Sequence, residues 1–444
     1  MNKKITLFET VSIWVWGMVW GWIFAVLWEA ILLGHSATPI AFAIAWIIAI
    51  LTSYSYAKLS VKYPSEWGTV TFLFKWLWNN FFTKSLNLIL WFSYIVTISL
   101  YVLAFGSYWA TFFPKDFMNY ELLKHILLTF AILFVVVVNL FNAKVIAKFE
   151  FYIVWIKIWI LFLILYFWFW YINPSHFSDI AKHDSFSIIV AWMIIFVAYE
   201  WFELIANSAK DVINPEKNLP KAYYISTIWV TILYVLIAIL TVWTLSESVI
   251  VKTSDYALAE AAKPALWILW FKLVWIAAIL ATLSAINATI YWNARLWYSL
   301  AIDRELPQYF SKKIFDDSYF WVIILGVLSV FMANLIDLSS IAIIASIWFL
   351  LIFSFVNLAA LRIHKEINAN IYITFFSTGI TFLALFILLY RTYNSNLLAI
   401  IIFIFFILFA LLFEATYWKT KDEHLSMLRN IKNKFKNTII NILK

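Results

Sequence analysis

No cysteine occurs in the 444 residues, so disulfides, cysteine-held zinc and thiol chemistry are excluded together. Charge is also scarce. Asp, Glu, Lys and Arg make up 13% of the chain against 65% hydrophobic residues, and the mean hydropathy is +0.89. Soluble domains carry about 25% charged residues, so this composition excludes one with a greasy core and predicts an integral membrane protein. The scarcest residue relative to expectation is glycine. Average usage would place roughly 31 glycines in a chain of this length; there are 7, beside 27 tryptophans. The deficit in one residue and the excess in the other nearly cancel.

Long apolar runs are plentiful. Taking about 20 residues as a span, twelve are expected: 8–33, 37–60, 85–113, 122–142, 149–172, 186–207, 222–245, 266–300, 318–336, 339–362, 370–390 and 395–418. The first run is too long for a secretory signal and is followed at once by a second. Lys and Arg concentrate in connections on one side, such as Lys58, Lys62, Lys144, Lys148, Lys217 and Lys221. The positive-inside rule then puts both termini in the cytoplasm of a plasma membrane protein. It also accounts for the net charge of +8 without a nucleic acid partner. The tail 419–444 alternates apolar residues with lysines, a pattern that suits either a solvated basic helix or the anionic inner leaflet.

Three stretches are more specific. Ser12 to Ala30 reads SIWVWGMVWGWIFAVLWEA, in which Gly17 and Gly21 sit among Trp14, Trp16, Trp20, Trp22 and Trp28. Glycine opens a helix and tryptophan fills space, so the mixture is at odds with itself. Read with glycine at the tryptophans, it holds a small-Gly-small triplet followed by Ile23 and Phe24. Ile194 to Ala222 carries an aromatic-Ala-aromatic run, Trp201, Glu203, the pair Asn214-Pro215 and the pair Leu219-Pro220. Thr282 to Arg295 reads TLSAINATIYWNAR, followed by AIDRELPQYF from Ala301. With glycine read at Trp201 and Trp292, these motifs resemble the amino acid, polyamine and organocation (APC) permeases, from about Leu7 to Lys365.

The resemblance implies an all-α membrane fold of twelve transmembrane helices, with a LeuT-like five-plus-five inverted repeat and broken helices 1 and 6. Residues 1–365 would form the transporter core, 366–418 helices 11 and 12, and 419–444 the basic cytoplasmic tail. Unwound segments free backbone groups that lipid cannot satisfy, so they must face a polar cavity. By resemblance, an amino acid carboxylate would meet the N–H groups of Trp20, Gly21 and Trp22, next to Ile23. Its ammonium would meet carbonyls near Met18, Val197 and Glu200, with Tyr199 and Trp201 alongside. An acidic side chain at Glu200 would favour basic substrates. Lys157, a lysine inside a span and so a functional candidate, would carry a coupling proton and bond to Ser284. Glu203 and Asn287 are read as structural or gating groups, and Tyr94, Thr97 and Ser93 as candidates to line the cavity.

The implied activity is secondary active amino acid transport by alternating access, as proton symport or exchange. The partners would be an amino acid, a proton and the bilayer, with no cofactor, no metal and no catalytic residue; nothing in the sequence sets an oligomeric state. A membrane enzyme would need clustered acidic or histidine residues, and Asp303, Glu305, Asp316 and Asp317 read as loop charges. The tryptophans at family glycine positions are expected to be glycines in the cell, from UGA codons decoded there as glycine. If Trp20, Trp22 and Trp201 are genuine, a transporter-like sensor or an inactive homologue is the expectation instead.

Overall fold

The computed structural model describes residues 5–77, 81–114, 116–141, 185–245, 257–261, 263–302, 308–315 and 318–417, with a few further positions between 159 and 170 and at 249 and 306. Lys157, most of the expected span 149–172, the tail from 419 and the loop acids at 303, 305, 316 and 317 lie outside the described residues.

Apart from one short antiparallel ribbon, β1 (Lys313–Phe315) with β2 (Ser318–Tyr319), the described chain is helical. The N-terminal helices are α1 (Leu7–Gly34), α2 (Thr38–Lys62), α3 (Thr69–Leu77), α4 (Phe81–Ala110) and α5 (Tyr120–Phe141). Next come α6 (Ser185–Ile195), a 3-10 segment (Phe196–Ser208), α7 (Pro215–Thr244), α8 (Ala257–Ala261) and α9 (Lys263–Ile302). The chain continues through α10 (Phe320–Leu335), α11 (Leu338–Arg362) and α12 (Ile371–Ser395) to a final helix, α13 (Leu397–Tyr417). Among the described residues, nine helices are long and apolar enough to cross a membrane.

The bundle is organised around α4. It is buried over its whole apolar length and packs against α1, α3, α5, α9, α10 and α11. A helix that is apolar all round can be accommodated only in this way, surrounded by other helices or by lipid. The outer helices are the opposite case. Phe375 and Phe386 on α12 and Phe405 and Leu412 on α13 are exposed, as expected where lipid replaces protein as the apolar neighbour. Between helices, hydroxyl pairs supply the polar contacts. Ser53 meets Thr227 at 3.1 Å and Ser60 meets Tyr223 at 2.8 Å, both joining α2 to α7.

The two expected interruptions come out differently. α1 is a continuous helix of 28 residues, begun by a capping box in which Glu9 N donates to Thr6 Oγ1 at 3.3 Å and Thr6 N donates to Glu9 Oε2 at 2.7 Å. The predicted break near Gly17 and Gly21 is therefore absent. The reason lies in the residues around them. Glycine costs a helix about 0.5 kcal/mol more than tryptophan, so five tryptophans in glycine positions favour continuity by roughly 2–3 kcal/mol. Two remaining glycines do not outweigh that.

The sixth span does change register. α6 ends at Ile195 and the next 13 residues run as a 3-10 helix. Such helices rarely exceed 3–4 residues, and long ones mark hinges or strain. Side chains from neighbouring helices take up the carbonyls at the change: Ser346 Oγ donates to Ile194 O at 2.8 Å and Tyr234 OH donates to Ala198 O at 3.2 Å. Beyond the segment, Asn214 is left-handed (φ 48) and Pro215 opens α7 as its first residue. The loop is tied to the start of the chain, Ile5 N donating to Asp211 O at 2.8 Å and Ile213 N to Ile5 O at 2.9 Å.

Gly68 fixes the α2–α3 turn against this segment. Its φ is +43, and a Cβ there would stand 2.1 Å from Asn207 Oδ1 and 2.9 Å from Ala206 Cβ. Both the backbone conformation and the space require glycine. Gly68→Ala is expected to cost about 2–4 kcal/mol, combining left-handed strain with overpacking. Thermal unfolding in detergent reads this directly, and an unchanged midpoint would refute the packing argument.

Candidate functional site

Where the 3-10 segment passes α4, α9 and α11, the apolar interior opens into a narrow cleft of about 20 Å³, so a substrate larger than a water enters only as the helices around it move apart. Its lining includes Tyr94 and Thr97 from α4, Glu200, Trp201, Glu203 and Asn207 from the segment, Thr289 and Asn293 from α9 and Phe349 from α11. The 3-10 turn explains why two acids share it. At three residues per turn, positions i and i+3 eclipse, so Glu200 and Glu203 fall on one face. An α-helix would also keep them on one side, about 60° apart; the 3-10 turn brings them into line.

The two carboxyls have different surroundings. Glu203, 2% exposed, accepts a short hydrogen bond from the Tyr94 hydroxyl. Glu200, 3% exposed, accepts only from Thr97 Oγ1 at 3.3 Å, and that hydroxyl also points to Ser93 O at 3.0 Å. One proton is shared between two acceptors, so the contact with Glu200 is weak. Among the described residues, no lysine, arginine or histidine pairs with either acid. Trp201 is anchored across the cleft, its indole N–H donating to Tyr101 OH at 2.7 Å.

Of the residues singled out in the sequence, Glu200, Trp201, Glu203, Tyr94 and Thr97 are brought together here. Tyr199 and Val197 are fully buried elsewhere: the Tyr199 hydroxyl donates to Phe42 O on α2 at 3.1 Å. Ser93 bonds within its own helix to Ile89 O. Asn287 accepts from Asn139 Nδ2 at 2.7 Å, tying α9 to α5, as suits a structural group. Ser284 is buried on α9. Met18, Trp20, Gly21, Trp22 and Ile23 lie within the continuous α1, which packs against α6, the 3-10 segment, α7 and α9. Thr289, Asn293, Asn207 and Phe349 were not foreseen. Asn293 sits inside an apolar span, and that cost alone was a signal for it.

A cleft that carries two buried acids inside a sheath of apolar helices is the construction of a multi-pass membrane transporter rather than of a soluble binding protein. Residues 5–428 match the family described as amino acid permease, and the chain belongs to that family. It is 33% identical over 428 residues to an uncharacterized protein of Methanocaldococcus jannaschii, covering 96% of this chain and 98% of the relative. It is 32% identical over 403 residues to the inner membrane transport protein YbaT of Escherichia coli, covering 90% and 93%. The aromatic amino acid transport protein AroP of Escherichia coli is more distant, at 24% over 296 residues and 62% of each chain.

The Tyr94–Glu203 bond ties α4 to the interrupted span. Tyr94→Phe should leave a buried carboxyl without its donor and cost about 1–3 kcal/mol. Added to Glu203→Gln, the same change should cost less than it does alone, because the two residues form one pair. Thermal unfolding of the double-mutant cycle measures the coupling; strict additivity would show that the bond contributes nothing.

Proposed function

We propose that this protein is a secondary active transporter that moves an amino acid across the plasma membrane by alternating access, coupled to protons or to exchange. On this reading it has twelve spans in a five-plus-five inverted arrangement, with both termini cytoplasmic. The observation that carries the reading is the interrupted sixth span, whose freed carbonyls are held by Ser346 and Tyr234 while its acidic face lines the cleft. A change of hydrogen-bond register inside a membrane leaves carbonyls at the junction that need other donors, and interruptions of that kind are where such transporters form their substrate sites. Extensive packing of α1 against the same segment, and of α2 against α7, is compatible with the paired halves. Coupling is assigned to Lys157, which would carry the proton while Ser284 and the α1 carbonyls accept its hydrogen bonds.

The reading includes glycine at most tryptophan positions of the family's glycine-rich helices. Buried indole N–H groups normally find an acceptor. Here those of Trp91, Trp192, Trp297, Trp321 and Trp348 have none among the described residues. Trp91, Trp297 and Trp321 pack on one another with ring centroids 5.4–5.9 Å apart. An orphaned donor costs about 1–3 kcal/mol each time, a burden that glycine would not carry. A second reading, an inactive or binding-only homologue, has its own support: α1 is unbroken and the Trp201 indole stands in the cleft.

Peptide masses across positions 14–28 and 195–210, from protein of the native source, separate the two. Glycine at 20, 22 and 201 is expected; tryptophan there would put the binding-only reading first. Transport itself is read by amino acid uptake into proteoliposomes, with and without a pH gradient. Lys157→Ala should abolish the pH dependence while binding persists, and unchanged pH-driven uptake in that variant would remove Lys157 from the mechanism.

A further inference from the structure

One face of the cleft is unfinished. Glu200 is buried, its Oε1 shares the single proton of Thr97, and its Oε2 has no partner. From α9, Asn293 lines the same cleft at 4% exposure, and neither its Oδ1 nor its Nδ2 is partnered. Buried polar atoms in native proteins are satisfied in more than nine cases of ten, so several orphans on one cavity wall call for a missing partner. The carboxylate and the amide oxygen are acceptors, while the amide Nδ2 is a donor that an acceptor on the bound molecule or a water would meet. What completes the two oxygens is a donor, and beside a carboxylate in a low-dielectric site the donor that contributes most is a cation.

We propose that Glu200 and Asn293 form the subsite for a cationic side chain of the substrate, so that the transported molecule is a basic amino acid of the lysine or ornithine class. This rests on the cleft being the substrate site. The α-ammonium is the weaker candidate for the same subsite, because it brings its own carboxylate within one bond of the α-carbon. Glu200 and Glu203 stand on one face three residues apart, and a third carboxylate beside them is repelled. A cation at the end of an aliphatic stem reaches Glu200 with its own carboxylate several bonds away. The apolar part of the stem is then covered by Leu296 and Phe349, which line the same cleft.

Lysine and norleucine differ in the side-chain ammonium and little else, so the pair isolates this contact. Binding is measured by calorimetry on the full chain in detergent, for the parent protein, Glu200→Gln and Asn293→Leu, with thermal unfolding as the check on folding. Lysine should bind the parent roughly tenfold or more tighter than norleucine, as expected for a charge-assisted bond. Glu200→Gln should remove that preference and leave norleucine binding unchanged, and Asn293→Leu should reduce the preference in the same direction. Equal binding of the two ligands to the parent would overturn the proposal. So would a Glu200→Gln variant that weakens both equally, since Glu200 would then serve the α-ammonium or the fold, or one that changes neither, since the carboxyl would then be satisfied within the chain. Uptake assays on the same proteins keep the two readings apart: lysine preference in binding without uptake would sink transport and leave the subsite standing, and uptake without preference would do the reverse.

Discussion

The constraint on which this structure depends is that a backbone carbonyl inside a membrane has no water to turn to. In an unbroken span every carbonyl is used four residues on, and the helix needs nothing from its neighbours. The sixth span changes at Ile195 to bonding three residues on, and beside that change Ser346 on α11 and Tyr234 on α7 donate to the carbonyls of Ile194 and Ala198. Those two helices are thereby fixed against the segment. Tyr94, bonded to Glu203, fixes α4 to it as well. The register change is thus a junction to which three helices are tied.

The same register change makes the cleft acidic on one side. Glu200 and Glu203 stand in line because the turn is tightened to three residues, where an α-helical turn would set them about 60° apart on the same side. Local backbone geometry therefore decides the chemistry of the cavity, although composition supplies only two acids in a run of apolar residues.

Much of the architecture was readable from hydropathy, because a span is long and its signal is summed over about 20 residues. Helices stand at nearly every expected position that the structure describes, and the Asn214-Pro215 pair opens α7 as its residue types dictate. The site was legible only in part. Glu200, Glu203 and Trp201 stood out as polar or misfit residues inside an apolar run, and they meet in the cleft. Thr289, Asn293 and Phe349 come from helices more than 80 positions further on, and which of their faces meets α4 is a matter of packing that no local pattern encodes. Tyr199 was assigned by adjacency to Glu200, and a 3-10 turn rotates consecutive residues about 120° apart, which carries it to α2 instead.

The first span shows the same physics from the other side. Its helix is continuous where Gly17 and Gly21 stand among Trp14, Trp16, Trp20, Trp22 and Trp28, each a better helix former than glycine. Replace them by glycine and the preference of roughly 2–3 kcal/mol for continuity disappears, while the cleft gains the volume now held by the Trp201 indole. The retained glycines point the same way. A Cβ at Gly326 would stand 2.4 Å from Val136 Cγ2, and one at Gly106 would stand 3.0 Å from Lys124 O, so both occupy places where helices come too close for any side chain. Positions of this kind are where a helical membrane protein uses small residues. A chain with glycine at these contacts, yet with orphaned indoles at Trp91, Trp297 and Trp321 in the middle of its bundle, follows the small-residue rule at some sites and breaks it at others.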